Sequence, residues 1–140
     1  MSELLFVGAD AALLEGLSQS IAALGCTPVV TSTLQDAREQ ALLDPPLVIV
    51  VDRALVVGSG ADLLAIPLAA GGALVLYSAQ HASTPMLPPA LQRAVLAELV
   101  LPLERHRLAA LVQHVESRAR ATGRTHRSAT SRPPDPRPRI

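Results

Sequence analysis

The chain has 140 residues, 49% of them apolar and 17% charged, against about 25% charged in an average protein. That is the length of one ordinary domain, and the apolar surplus excludes a disordered chain. Twelve acids balance twelve basic residues, every one of them arginine, so chemistry that needs a lysine is excluded. Leu4-Leu5-Phe6-Val7, ended by Gly8, reads as a short buried strand. Asp10 then caps a helix with Leu13, Leu17, Ile21 and Leu24 on one stripe and Gly25 as its stop. Pro28-Val29-Val30-Thr31 is a second strand. Thr33 with Asp36 three residues on starts a helix that closes before Asp44-Pro45-Pro46. Leu47-Val48-Ile49-Val50-Val51 is the clearest strand, since an unbroken β-branched run suits a central parallel strand covered on both faces.

A glycine-containing loop follows, then a short helix around Asp62 to Leu68 and the strand Ala73-Leu74-Val75-Leu76-Tyr77. Pro88-Pro89 suits the first turn of a fourth helix running to about Leu96. Leu99-Val100-Leu101 reads as a fifth strand, and Leu108, Leu111, Val112 and Val115 give a final helix its apolar stripe. Five strands alternating with five helices predict an α/β domain with a parallel sheet and right-handed crossovers.

Several function classes fall away. Phe6 and Tyr77 are the only aromatics, too few to stack single-stranded bases. Cys26 is the only cysteine, which rules out internal disulfides and a cysteine-rich zinc site. No charged segment followed by an apolar one opens the chain, so no signal peptide is expected and the expected location is the cytoplasm. The uncharged stretch from Leu63 to Gln92 is broken by Pro67 and Gly71-Gly72, and its most apolar part falls short of the ~20 residues of a membrane span. Charge is unevenly placed. Residues 118–140 hold seven arginines and one acid, Asp135, for +6, and the first 117 carry −6. With its Pro, Ser, Thr and Gly, that tail is expected to be a disordered basic extension over 121–140, after a domain of residues 1–120.

In an open parallel sheet, ligands meet the carboxyl ends of the strands at the switch point. Strand order 2-1-3-4-5 brings Gly8-Ala9-Asp10, Asp52, Ser78-Ala79 and Leu101-Pro102 together there. These residues resemble the receiver domain of two-component response regulators over positions 3 to about 118. Leu47 to Asp52 match the strand that ends in the family's acceptor aspartate. Gly60, Asp62, Leu63 and Leu64 fall where its Gly-x-Glu-Leu-Leu stretch would. Ser78-Ala79 match its Thr/Ser-Ala, and Leu101-Pro102-Leu103 its Lys-Pro-Phe. The resemblance implies the flavodoxin-like receiver fold and a place in bacterial signalling.

The chain also departs from the pattern. The family's adjacent metal-holding acids are Gly8 and Ala9 here, and its lysine is Leu101. Val56 replaces a proline, and Glu98 stands at the aromatic switch position. Phosphoryl transfer to a carboxylate depends on positioning and charge neutralisation, and Mg²⁺ needs carboxylate and water ligands. Mg²⁺ binding is therefore expected to be weak or absent, and no cofactor is expected. Asp10, Asp52, Ser78 and Leu101 form a vestigial acceptor pocket. Asp52 has three readings: a live acceptor, a remnant hydrogen-bonded to Ser78 or backbone amides, or part of another ligand site.

Other patterns are weaker. No histidine is placed to activate Ser78 as a nucleophile. Gly8-Ala9-Asp10 lacks the further glycines of a dinucleotide-binding turn, since Asp10 and Leu13 stand where they belong. His106 and His114 are eight apart and do not match metal-pair spacing, and His81 has no partner in the sequence. The expected function is an atypical receiver, not an enzyme, working as a phosphorylation-independent interaction module. Its partner would be a signalling protein or a second copy, met through the face of helix 4, strand 5 and helix 5, with Val95, Glu98, Leu99 and Leu103 as candidates. Those apolar residues have the alternative of packing under the last helix. Nucleic acid is expected to be met only non-specifically, by the basic tail, and no output domain is expected to follow. The alternatives are a conventional receiver phosphorylated on Asp52, and a small-ligand binder or enzyme using the hollow left by Gly8 and Ala9.

Overall fold

The computed structural model describes residues 3–56, 60–78, 89–101 and 103–131, with backbone alone at 60–61 and 122–131. Chain order is β1 (Glu3–Val7), α1 (Ala11–Ala22), β2 (Thr27–Thr31), α2 (Leu34–Leu43), β3 (Val48–Asp52), a single 3₁₀ turn (Arg53–Val56), α3 (Gly60–Leu64), β4 (Ala73–Ser78), α4 (Pro89–Ala94), β5 (Val95–Val100) and α5 (Arg105–Ser131). The strands form one parallel sheet in the order β2-β1-β3-β4-β5. The parallel sheet is the one expected from the alternation, and its order is the flavodoxin-like arrangement that the resemblance implies.

The central run explains itself by where its side chains go. Val48 and Val50 join Leu4, Phe6, Val75 and Tyr77 under α1 and α5, which contribute Leu14, Leu17, Leu108 and Val112. Ile49 and Val51 point the other way, into a second cluster with Leu5, Val7 and Leu76 under α2, α3 and α4. A strand covered on both faces has no polar side to show, which is why 47–51 carries no alternation. At both predicted capped starts a side chain closes the first turn, Asp10 accepting from the Leu13 N–H and Thr33 from the Asp36 N–H, each at 3.1 Å.

Four boundaries differ from the sequence reading. The buried stripe of α1 is Leu14, Leu17 and Ile21, and Leu24 lies past the helix, partly exposed, where the chain turns at Gly25 with φ +91°. Only glycine takes that left-handed turn without strain. Helix α3 ends at Leu64 and not at Leu68. Helix α4 stops at Ala94, and β5 starts at once with Val95, four residues before the expected Leu99. Val95 pairs with Leu74, but the next partners are Val75 and Ala97, so Leu96 is an extra residue in a bulge. The bulge shifts the side-chain alternation and hides the strand from a period-2 reading. Helix α5 runs through the expected boundary near 120 to Ser131. Between Arg105 and Ser131 there is no proline, the next being Pro133, and Gly123 weakens a helix without blocking it. Of the disordered extension expected over 121–140, residues 132–140 lie outside the described residues, as do Ala79, His81, Pro88 and Pro102. No described helix is long and apolar enough to cross a membrane.

Two glycines test the packing with opposite signs. A Cβ at exposed Gly16, inside α1, would meet nothing within 4 Å, whereas one at Gly72 would lie 2.8 Å from the carbonyl oxygens of Ala69 and Leu47. Gly16→Ala is expected to stabilise the fold by about 0.5–1 kcal/mol in urea unfolding. Gly72→Ala is expected to destabilise it by roughly 1–3 kcal/mol, because backbone must move.

Candidate functional site

The carboxyl ends of four strands converge as the topology requires. Gly8 follows β1 and donates its N–H to the Thr31 carbonyl at 3.0 Å. Asp52 ends β3 opposite Tyr77, Ser78 ends β4 opposite Val100, and the Leu101 N–H donates to the Ser78 carbonyl at 2.9 Å. The structure thus gathers Gly8, Asp52, Ser78 and Leu101 at one end of the sheet, with Asp10 capping the adjacent helix.

Each acid holds its own turn. Asp10 serves as the α1 cap. Asp52, half-buried, accepts from the Ala54 N–H at 3.0 Å through Oδ1 and so bends the chain into the 3₁₀ turn. That bond is an Asx-type closure, using an oxygen that a metal or phosphoryl group would otherwise contact. Leu101 is fully buried among Phe6, Tyr77, Leu99 and Leu108, an apolar wall where the resembled family carries a cation.

The residue that decides the pocket is Tyr77, which the sequence reading used as the end of a strand and in the count of aromatics but gave no place in the site. Gly8, Asp52 and Tyr77 lie in one row across β1, β3 and β4, since Val7 pairs with Val51 and Asp52 with Tyr77. Tyr77 turns its ring into the α1–α5 side and is 2% exposed. Its hydroxyl reaches the space beside Gly8. A Cβ at residue 8 would collide with Tyr77 Oη and would also crowd Leu14 Cδ1 at 3.2 Å and Tyr77 Cζ at 3.3 Å. The space that a side chain at residue 8 would take is therefore filled by this chain's own phenol. The sequence did hold a signal: the only tyrosine lies on the same sheet face as the one glycine in that row.

The phenol is poorly served there. Its hydroxyl is buried without a hydrogen-bond partner among the described residues. Burial, and after it the charges of Asp52 and Asp10, push its pKa well above the usual value near 10. A phenolate at this spot would face two carboxylates in a dry pocket, so the site holds the neutral form and repels further negative charge.

The opposite side of the sheet carries an ion pair. Arg53, directly after Asp52, pairs through its guanidinium with Glu98 of β5. Glu98 is half exposed, so the pair adds little stability. Its effect is geometric, because it ties the turn after β3 to the middle of β5 across β4. Past β5 the chain is closed reciprocally. The Val100 N–H donates to Glu104 Oε1 at 2.8 Å and the Glu104 N–H to the Val100 carbonyl at 2.7 Å.

The candidates for an interaction face separate. Leu99 is 2% exposed and belongs to the core beside Tyr77, which corrects the reading of it as an exposed candidate: past the bulge, its side chain points under α5. Val95 is half-buried on the other face, Glu98 is exposed and Leu103 is 71% exposed. Leu96, the bulge residue, is 47% exposed and was missed. His106 and His114 are both exposed on α5, two turns apart and too distant to share a metal. Among the described residues no group of three His, Cys, Asp or Glu side chains is placed to hold a metal ion. A cleft of about 550 Å³ beside Gly8 and Ala9 opens toward β2 and α2, lined by Thr31, Ser32, Asp36 and Glu39.

Comparison with known proteins places this geometry. No family model matches the chain, and no curated protein is similar to it in sequence. Solved structures match it well in shape. A signal receiver domain from Vibrio parahaemolyticus superposes with a TM-score of 0.70 at 22% identity, over 89% of this chain and 96% of that one. A two-component response regulator from Clostridium difficile gives 0.69 at 16%, over 85% and 98%. A CheY-like receiver domain from Methylobacillus flagellatus gives 0.66 at 16%, over 82% and 98%. The chain has the receiver-domain fold of two-component response regulators.

Tyr77 is the only tyrosine, so its titration can be read directly by absorbance near 295 nm. No phenolate band is expected in the folded protein up to about pH 11, and it should appear at once on unfolding. The neutral phenol is favoured by folding. Its contribution to stability is complete below the unfolded value near 10 and is lost as pH rises through the raised folded value. Tyr77→Phe removes that dependence and, by deleting an unpartnered buried hydroxyl, should leave stability unchanged or raise it by about 1 kcal/mol at neutral pH.

Proposed function

We propose that this receiver-fold protein is a phosphorylation-independent interaction module of bacterial signalling, working in the cytoplasm and catalysing no reaction. The observation that carries the reading is Tyr77 Oη lodged beside Gly8. A receiver's chemistry needs a metal held against the acceptor carboxylate and a cation for the phosphoryl oxygens. Here the metal's place holds a neutral phenol, the cation's place holds buried Leu101, and Asp52 Oδ1 is engaged by the Ala54 N–H. Arg53 paired with Glu98 supports the same reading, since it fixes the position where the resembled family carries a mobile aromatic. Output then comes from the standing shape of the surface. The face of α4, β5 and α5, with exposed Leu96 and Leu103, is the surface proposed to meet a partner.

The test is an amide NMR titration with Mg²⁺ and then beryllofluoride, a stand-in for a phosphoryl group on aspartate. The expected result is no saturable shift at Asp10, Asp52 or Ser78 up to about 10 mM Mg²⁺, since weak oxygen sites lie in the millimolar range. Saturable shifts there, spreading to Leu99 and Leu101 with beryllofluoride, would establish a conventional phosphorylated receiver instead.

A further inference from the structure

The α4–β5–α5 face contains a cleft of about 410 Å³, floored by Gly72, Val95, Leu96 and Val115 and flanked by Arg93 and Arg118. Both arginines are exposed, and neither is ion-paired among the described residues. The cleft thus offers an apolar floor between two cations. It fits an occupant that brings an apolar side chain with carboxylates beside it.

This chain carries such a feature at the other edge of its sheet. Helix α2 ends in Leu42 and Leu43, 63% and 84% exposed and so among the most exposed large apolar residues described. Exposed Glu39 and Asp44 flank them. Glu3 lies close enough to Asp44 for their mutual repulsion, after burial, to raise the Glu3 pKa, so negative charge is concentrated there. The carboxyl end of a helix adds its own negative potential at the same point. The domain as a whole is acidic, with −6 over residues 1–117, so a basic cleft attracts another copy's body.

We infer that the Leu42-Leu43 end of α2 docks into the Arg93–Arg118 cleft of a second copy of this chain. The inference rests on the reading above that the α4–β5–α5 face is an interaction surface, and it names the occupant. Helix α2 packs over β1 and β2, while the cleft lies beside β5, and the order β2-β1-β3-β4-β5 puts these at opposite edges. A molecule cannot fill its own cleft. The contact is heterologous, head to tail, and leaves a free end at each side for further copies. This differs from a symmetric dimer in which the same face meets itself.

Sedimentation velocity of the full chain at rising concentration tests it, because every residue involved is on the surface and its replacement leaves the core intact. The wild-type mass is expected to rise above the 14.6 kDa of one chain, and to fall back with added salt. Leu42→Ser with Leu43→Ser, and separately Arg93→Glu with Arg118→Glu, should each weaken association by about tenfold or more. Mixed in equal amounts, the two variants should form a pair, since one good α2 end and one good cleft remain between them. A symmetric face-to-face dimer predicts the reverse: the α2 variant still associates and the mixture gains nothing. Either that pattern or a constant single-chain mass overturns the inference. Repeating the runs with Mg²⁺ and beryllofluoride separates the two claims. Association that appears only with beryllofluoride would remove the phosphorylation-independent reading, while the variant and mixing results still decide the contact.

Discussion

One steric exclusion governs the site. Tyr77 and Gly8 share a space that holds either a phenol or a side chain at position 8. Once the phenol is there, residue 8 must lack a Cβ, no acidic side chain fits at that position, and Asp52 lies near a neutral ring. The remaining departures follow the same logic. A lysine at 101 would place its charge among Phe6, Tyr77, Leu99 and Leu108, and leucine fills that wall at no electrostatic cost.

The departures from the resembled family's pattern at 8, 9 and 101 do not loosen the fold. The sheet keeps parallel pairing over all five strands, and Tyr77 and Leu101 are packed into the core at the carboxyl end of the sheet. Asp10 and Asp52 survive as turn formers. The Arg53–Glu98 pair and the Val100–Glu104 bonds brace β5 at its middle and at its carboxyl end.

Much of this was legible in the sequence, and the exceptions have physical causes. The central strand 47–51 could be read because burial on both faces leaves an unbroken apolar run. Asp52, Ser78 and Leu101 could be placed because a parallel sheet lines up strand ends. Strand β5 was set four residues late because the Leu96 bulge breaks its period and its start abuts α4 without a turn. For the same reason Leu99 looked exposed. Helix α5 continues to Ser131 past the change of composition near 120, because that change carries no stop signal. Tyr77 was overlooked because its importance lies in a row across three strands. That row exists only once β1, β3 and β4 are placed side by side, although a lone tyrosine and a glycine on one face were there to be matched.

The central claim concerns the space that Tyr77 and Gly8 share, and a double-mutant cycle of Gly8→Ala and Tyr77→Phe in urea unfolding measures it most directly. Alanine at 8 adds only the Cβ, and phenylalanine at 77 removes only the hydroxyl that Cβ would strike. The account predicts that Gly8→Ala is strongly destabilising beside tyrosine and much less so beside phenylalanine, with a coupling of roughly 1–3 kcal/mol. Additive effects, with Gly8→Ala equally costly or equally harmless in both backgrounds, would contradict it and return the pocket to Asp52 alone.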